Sequence, residues 1–258
     1  MTFSASDPTG GAGMQADIMT LAALDCHPLT VLTGITVQDS SHVYRLDPLL
    51  GDLVKAQAQT LLDDMPAIAA FKCGVLASTE NVRIVADIAR QNPHVPLVVD
   101  PILTSGRGDI LSAPAVRAEL LSELFPLATL ITPNCQELRE LTQANPQLTS
   151  AQCASRLLRT GCRYILLTGK QKENTIVNRL YSPAGLLRSD DWPLLQGDYH
   201  GSGCTLATAI SALLARQLRV EDAVFQAQWY VQQYLRHAQR PGSGQWIPKR
   251  RPLTFAGH

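Results

Sequence analysis

The chain has 258 residues, 45% of them apolar, with 22 basic side chains against 22 acidic ones. That length and apolar fraction support one large α/β domain over 1–258 and exclude a disordered or fibrous chain. The balanced charge excludes a general nucleic-acid or membrane surface, and the scattered cysteines, six without a Cys-x-x-Cys pair or zinc spacing, read as the reduced thiols of a cytoplasmic protein.

Residues 2–5 read as a strand that leaves no room for a signal peptide, and a glycine-rich turn leads into a helix over 12–24. A β-branched strand at 29–37 precedes an amphipathic helix at 49–65, with Leu50, Val54, Ala58 and Leu61 on one face. Residues 67–73 form a strand, and 81–90 a helix with Val82, Val85, Ile88 and Ala89 inward. Two buried strands follow, 96–100 ending on Asp100 and 127–132. Thr149 and Ser150 cap a helix at 151–159. After a strand at 164–168, the runs 174–181 and 186–189 form an antiparallel hairpin around Ser182-Pro183-Ala184-Gly185. Helices at 203–215 and 220–238 follow, and the tail 241–258 carries Lys249-Arg250-Arg251 as a solvated basic run. No apolar run reaches the length of a membrane span. This alternation predicts a mainly parallel sheet with helices on both faces and ligands beyond the carboxyl ends of its strands.

Four segments carry candidate chemistry. Gly201, Ser202, Gly203 and Cys204 open a helix of small residues, where unpaired N–H groups and the helix dipole favour an anion such as a transferring phosphoryl group. No Lys-Ser/Thr follows these glycines as in a Walker loop, and the chain has no Gly-x-Ser-x-Gly elbow. The dipole favours the thiolate of Cys204, against the plain reading of a small core residue. In Ser6-Asp7-Pro8-Thr9-Gly10-Gly11-Ala12-Gly13-Met14-Gln15-Ala16-Asp17, the glycines let a ligand lie against the main chain. Asp17, one turn into the helix, accepts from a substrate hydroxyl or amine, or is simply solvated. Gln38, at a strand end, offers a donor and an acceptor that suit the edge of a heteroaromatic ring. Asn134 and Glu137 in Thr-Pro-Asn-Cys-Gln-Glu have capping-box spacing. Their functional reading is a place near a magnesium ion, which carboxylates hold together with waters and nucleotide phosphates. The loop 104–109 after Asp100 is flexible enough to act as a cover.

Together these segments resemble the ribokinase-like superfamily and, within it, the hydroxymethylpyrimidine/phosphomethylpyrimidine kinases of thiamine biosynthesis. The Ser6–Asp17 run is similar to a signature of that family, Asn134 to Glu137 match the superfamily's Asn-x-x-Glu, and His-Gly-Ser-Gly-Cys-Thr matches its anion-hole motif. The resemblance implies a three-layer α/β/α sandwich with a mainly parallel central sheet and an antiparallel edge hairpin. It implies two ATP- and Mg2+-dependent phosphorylations, of an aminopyrimidine alcohol and then of its monophosphate, by a homodimer. Gln38, Asp17 and the main chain of Gly11 and Ala12 are then expected to hold the aminopyrimidine. The N–H groups of Gly201, Ser202, Gly203 and Cys204 serve the γ-phosphoryl group, with Cys204 as general base. Asn134, Glu137, Thr168 and Lys170 belong to the nucleotide, and Asp100 and Glu137 to magnesium.

Three departures stand out. Thr168-Gly169-Lys170 replaces a Lys-Gly-Gly segment, leaving Lys170 or Lys172 to reach the phosphates; Ala5 replaces a glycine; and Asp198 replaces an asparagine. A pyridoxal or pyridoxine kinase is the alternative within enzymes, and a pyrimidine-binding sensor of the same fold the alternative outside them. A Cys204/His200 hydrolase is set aside for want of a third orienting group.

Overall fold

The computed structural model describes residues 1–65 and 67–251; residues 252–258 of the tail lie outside the described residues. In chain order the elements are β1 (Thr2–Ser6), α1 (Gly13–Ala23), β2 (Thr30–Gln38), β3 (Val43–Pro48), α2 (Gly51–Asp64), β4 (Phe71–Cys73), α3 (Thr79–Gln91), β5 (Leu97–Val99) and α4 (Pro114–Glu119). Then come β6 (Leu130–Ile131), α5 (Cys135–Leu141), α6 (Ser150–Leu158), β7 (Tyr164–Lys172), β8 (Thr175–Ser182), β9 (Gly185–Pro193), α7 (Ser202–Ala215) and α8 (Val220–Leu235).

The strands form one sheet in the order β3-β2-β1-β4-β5-β6-β7-β8-β9. The six central strands run parallel. At one edge β3 is antiparallel to β2, and at the other β8 and β9 add antiparallel to β7. Side chains alternate between two cores. Phe3, Phe71, Leu97, Val99, Ile165 and Leu167 pack with Val54 of α2, Val82 of α3 and Leu157 of α6. Val98, Leu130, Leu166 and Leu180 pack with Leu21 of α1, Ile210 of α7 and Tyr230 of α8. Both faces are therefore covered, as the near-continuous apolar strands require.

The expected architecture stands, with local corrections. β3 was not expected: its residues are half-buried to exposed with no clean alternation, and pairing with β2 is what makes them a strand. β7 runs on past Thr168 to Lys172 because β8 pairs with its exposed second half beyond a bulge at Gly169. The basic run 249–251 is not simply a solvated terminus, because Arg250 lies half-buried against the carbonyl oxygens of Gly10 and Gly11. All six cysteines are free, and no helix among the described residues is long and apolar enough to cross a membrane.

Candidate active site

Two glycine-bearing loops meet at the carboxyl end of the sheet, one after β1 and one before α7. They interlock tightly. A Cβ at Gly201, where φ is +71°, would lie 1.9 Å from the Gly11 carbonyl oxygen, and one at Gly11 would lie 2.1 Å from the His200 ring. Asp7 ties the first loop together by accepting from the N–H of Thr9 (2.8 Å) and of Ala12 (2.7 Å), and it reaches the second loop through His200 Nε2 at 2.8 Å. These bonds depress the Asp7 pKa although burial opposes them, His200 contributing most to the depression. Facing a carboxylate, that ring nitrogen carries the proton. The terminal amide of Gln38 lies 3.3 Å from the same nitrogen. Two donors do not face each other, so the consistent assignment is an amide flip that turns the Gln38 oxygen toward the imidazole. Asp7 is thus the third group that orients His200, and it points the ring toward Gln38 rather than Cys204.

Gly201 in the left-handed region ends the loop, and Ser202 starts α7 without any side-chain cap. The first-turn donors are left for a ligand, and Gly203 is exposed there. Cys204 is buried behind them, and its pKa does not fall as expected. Burial, then the charge of Asp100, pushes the thiol up to about 12, outweighing Lys72 and the N–H of Gly13. The helix dipole is overridden because the thiol is buried and lies in the field of the Asp100 carboxylate.

Asp17 needs a second correction. It is fully buried, and its carboxylate accepts from Lys72 Nζ (2.8 and 2.9 Å), Thr2 Oγ1 (2.6 Å) and Thr208 Oγ1 (2.6 Å). No lone pair is left for a substrate, because Asp17 is the counter-ion of a lysine in the middle of β4. Burial opposes the Lys72 ammonium, but Asp17, with Cys204 and Asp100, raises its pKa above the ordinary lysine value. A Cβ at Gly74 would sit 2.9 Å from that Nζ, so glycine there leaves room for the ion pair. Lys72 escaped the sequence reading; its signal was a lone cation inside an apolar strand, which must find a buried partner. The main chain of Gly11 and Ala12 is also engaged internally: the Gly11 carbonyl accepts from Arg250 (2.6 Å) and the Ala12 carbonyl from Ala16 (3.1 Å). This segment offers a ligand its surface rather than free polar groups.

The capping box forms as its spacing predicts. Asn134 Oδ1 accepts from the N–H of Gln136 and of Glu137, and Glu137 Oε2 from the N–H of Asn134, all at 2.9 Å. The other Glu137 oxygen faces the Leu103 N–H at 3.4 Å. Thr168 joins this corner by donating its N–H to the Pro133 carbonyl at 3.0 Å, whereas Lys170 is exposed on the hairpin strand. The loop 104–109 is docked: Asp109 accepts from the Val43 N–H at 2.9 Å, and Arg107 lies 3.7 Å from Asp198.

Burial, with the charge of Asp17, pushes Asp100 up to about 6, while burial, with the charge of Asp100, pushes Glu137 up to about 8. Two carboxylates that resist ionising together are a donor set that fits a divalent cation. Among the described residues no group of three or more His, Cys, Asp or Glu could hold a metal, so such an ion would draw its other ligands from water and phosphate. Both native pKa values exceed the ordinary 3.8 and 4.5. Their stabilising contribution is therefore complete below about pH 4 and is lost as pH rises through about 6 and about 8. We expect the parent to lose thermal stability relative to Glu137→Gln between about pH 5 and about pH 8.5, and MgCl2 to restore more of it at the upper end. A constant difference across that window contradicts the assignment.

The topology, the open helix N-terminus and the adjacent carboxylates define a small-molecule phosphotransferase of the ribokinase-like kind. A family model described as phosphomethylpyrimidine kinase matches residues 7–248. The chain is 38% identical over 255 residues to a hydroxymethylpyrimidine/phosphomethylpyrimidine kinase of Mycobacterium tuberculosis, covering 95% of this chain and 90% of that one. Its fold is similar to a Bacillus subtilis pyridoxal kinase in an ADP complex, with a TM-score of 0.87, 26% identity and coverage of 96% and 95%. A Clostridium difficile phosphomethylpyrimidine kinase is similar with a TM-score of 0.77, 28% identity and coverage of 91% and 97%. The chain belongs to the phosphomethylpyrimidine kinase family.

Proposed function

We propose that the chain transfers the γ-phosphoryl group of ATP to the hydroxymethyl group of 4-amino-5-hydroxymethyl-2-methylpyrimidine, and a second one to the resulting monophosphate, in thiamine biosynthesis. The observation that carries this reading is the uncapped first turn of α7, set between the Gln38–His200 pair and the Asp100–Glu137 carboxylates. Phosphoryl transfer needs positioning and charge stabilisation more than covalent chemistry. The N–H groups of Ser202, Gly203 and Cys204 supply donors where negative charge develops. Gln38, held by His200, offers its NH2 to the pyrimidine ring. Asp100 and Glu137 would hold Mg2+, which would neutralise phosphate charge; Asn134 and Thr168 stand beside them for the nucleotide, and Lys170 or Lys172 is the candidate for the displaced lysine. Half-exposed Ile35 and Val37 on one face of β2 offer apolar surface to a homodimer of this cytoplasmic enzyme.

ATP-dependent appearance of mono- and diphosphate from the aminopyrimidine tests the reading. Faster turnover of pyridoxal would make the chain a pyridoxal kinase, and binding without product a sensor. The names of the family model and of the sequence relative favour neither alternative.

Cys204 divides the two steps. A thiol pushed up to about 12 holds its proton at neutral pH, so it can take the hydroxymethyl proton only by passing its own to Asp100, and such an acceptor is needed only in the first step. We expect Cys204→Ala to slow phosphorylation of the alcohol by about tenfold to a hundredfold, and phosphorylation of the monophosphate by less than about fivefold. Equal losses in both steps, measured by product separation, refute a step-specific role.

A further inference from the structure

The segment after α8 folds back over the site. Gly244 donates its N–H to Ser40 Oγ (3.0 Å) and Gln245 to the Ser40 carbonyl (2.8 Å). Trp246 donates to the Asp198 carbonyl and accepts from the His200 N–H, both at 2.8 Å. This strap links the turn after β2 to the loop before α7 and carries Arg250 to the junction of the two glycine loops. There Nη2 donates to the Gly11 carbonyl (2.6 Å), Nη1 to the Gly10 carbonyl (3.3 Å) and Nε to Thr205 Oγ1 (3.0 Å), while Nη2 also reaches the Gly201 carbonyl (3.5 Å).

A trans peptide points its C=O and the next N–H in opposite directions. Holding the Gly201 carbonyl therefore aims the Ser202 N–H, the first donor of α7, away from the strap. Holding the Gly11 carbonyl opposes the pull of Asp7 on the Ala12 N–H at 2.7 Å, so that one peptide is clamped from both faces. A planar fork spans several carbonyls at once, and an ammonium does not.

We propose that Arg250 is a positioning residue for phosphoryl transfer, clamping the two glycine loops from behind so that the α7 donors hold one geometry. The rate prediction rests on the kinase reading; the exchange prediction does not. In Arg250→Ala we expect amide hydrogen exchange in peptides covering 8–14 and 199–206 to quicken by roughly tenfold while the central strands keep their protection. We expect kcat to fall by about a hundredfold with the KM for the aminopyrimidine within about threefold, and millimolar guanidinium chloride to recover at least about tenfold of the loss. Arg250→Lys, which keeps stem and charge but not the fork, should show the same faster exchange, and it carries the test if the alanine variant does not fold. Lys249→Ala, which removes a neighbouring charge, should match the parent. Unchanged exchange in both peptides, parental turnover in Arg250→Lys, or no recovery with guanidinium overturns the proposal. If the parent itself forms no product, the kinase reading fails and the exchange result alone decides the clamp.

Discussion

Gly201→Ala is expected to lower turnover by a hundredfold to a thousandfold, about the loss that follows removal of a preorganised donor. Its far-UV circular dichroism should remain that of the parent. Two costs combine at this position. An alanine at φ +71° carries the left-handed penalty of about 1–2 kcal/mol. Its Cβ would also lie 1.9 Å from the Gly11 carbonyl oxygen and 2.9 Å from the Ala12 Cα, both main-chain atoms. The loops must part, and the first turn of α7 moves with them. Gly185→Ala separates the two costs, because Gly185 has φ +119° in the β8–β9 turn but nothing within 4 Å of an added Cβ. It should lower stability by at least about 1–2 kcal/mol and leave turnover near that of the parent. If the two variants turn over alike, interlocking of the glycine loops is not what holds the anion site.

Lys72→Met is expected to cost about 3–5 kcal/mol of stability, read from urea unfolding. Removing the ammonium leaves Asp17 fully buried with only the hydroxyls of Thr2 and Thr208 as donors. An uncompensated buried charge is the expensive outcome; a missing pair is not. Adding Asp17→Leu to Lys72→Met should therefore recover a large part of the loss, since apolar replacement of a whole buried pair is often tolerated. A single variant that loses less than about 1 kcal/mol would falsify the counter-ion role of Asp17. The same pair bears on the chemistry above it, because the Lys72 charge opposes the upward shift of both Asp100 and Cys204.

Local features were legible in the sequence to the extent that their energetics are local. The Asn134–Glu137 capping box follows from a three-residue spacing, because a cap is made within one turn. The parallel strands follow from short apolar runs, and the open start of α7 from two glycines around a serine. Three site features were not legible. Helical spacing places Asp17 one turn into α1 but does not say that this face turns to Lys72, 55 residues away. The thiol of Cys204 was expected to feel its own helix, yet its burial, and then the carboxylate at the end of β5, matter more. Arg250 reads as part of a charged terminus until it is found on the Gly11 carbonyl, 239 residues earlier in the chain.

By itself, then, the sequence determined the alternation of strands and helices, the two glycine loops and the family to which they belong. These depend on backbone freedom and periodicity, which neighbouring residues specify. Only the tertiary structure decided which charges meet: that Asp17 serves Lys72 rather than a substrate, that Cys204 keeps its proton, and that Asp100 and Glu137 resist ionising together. Desolvation and Coulomb energy depend on burial and on distance through space, and neither is written in the spacing of residues along the chain.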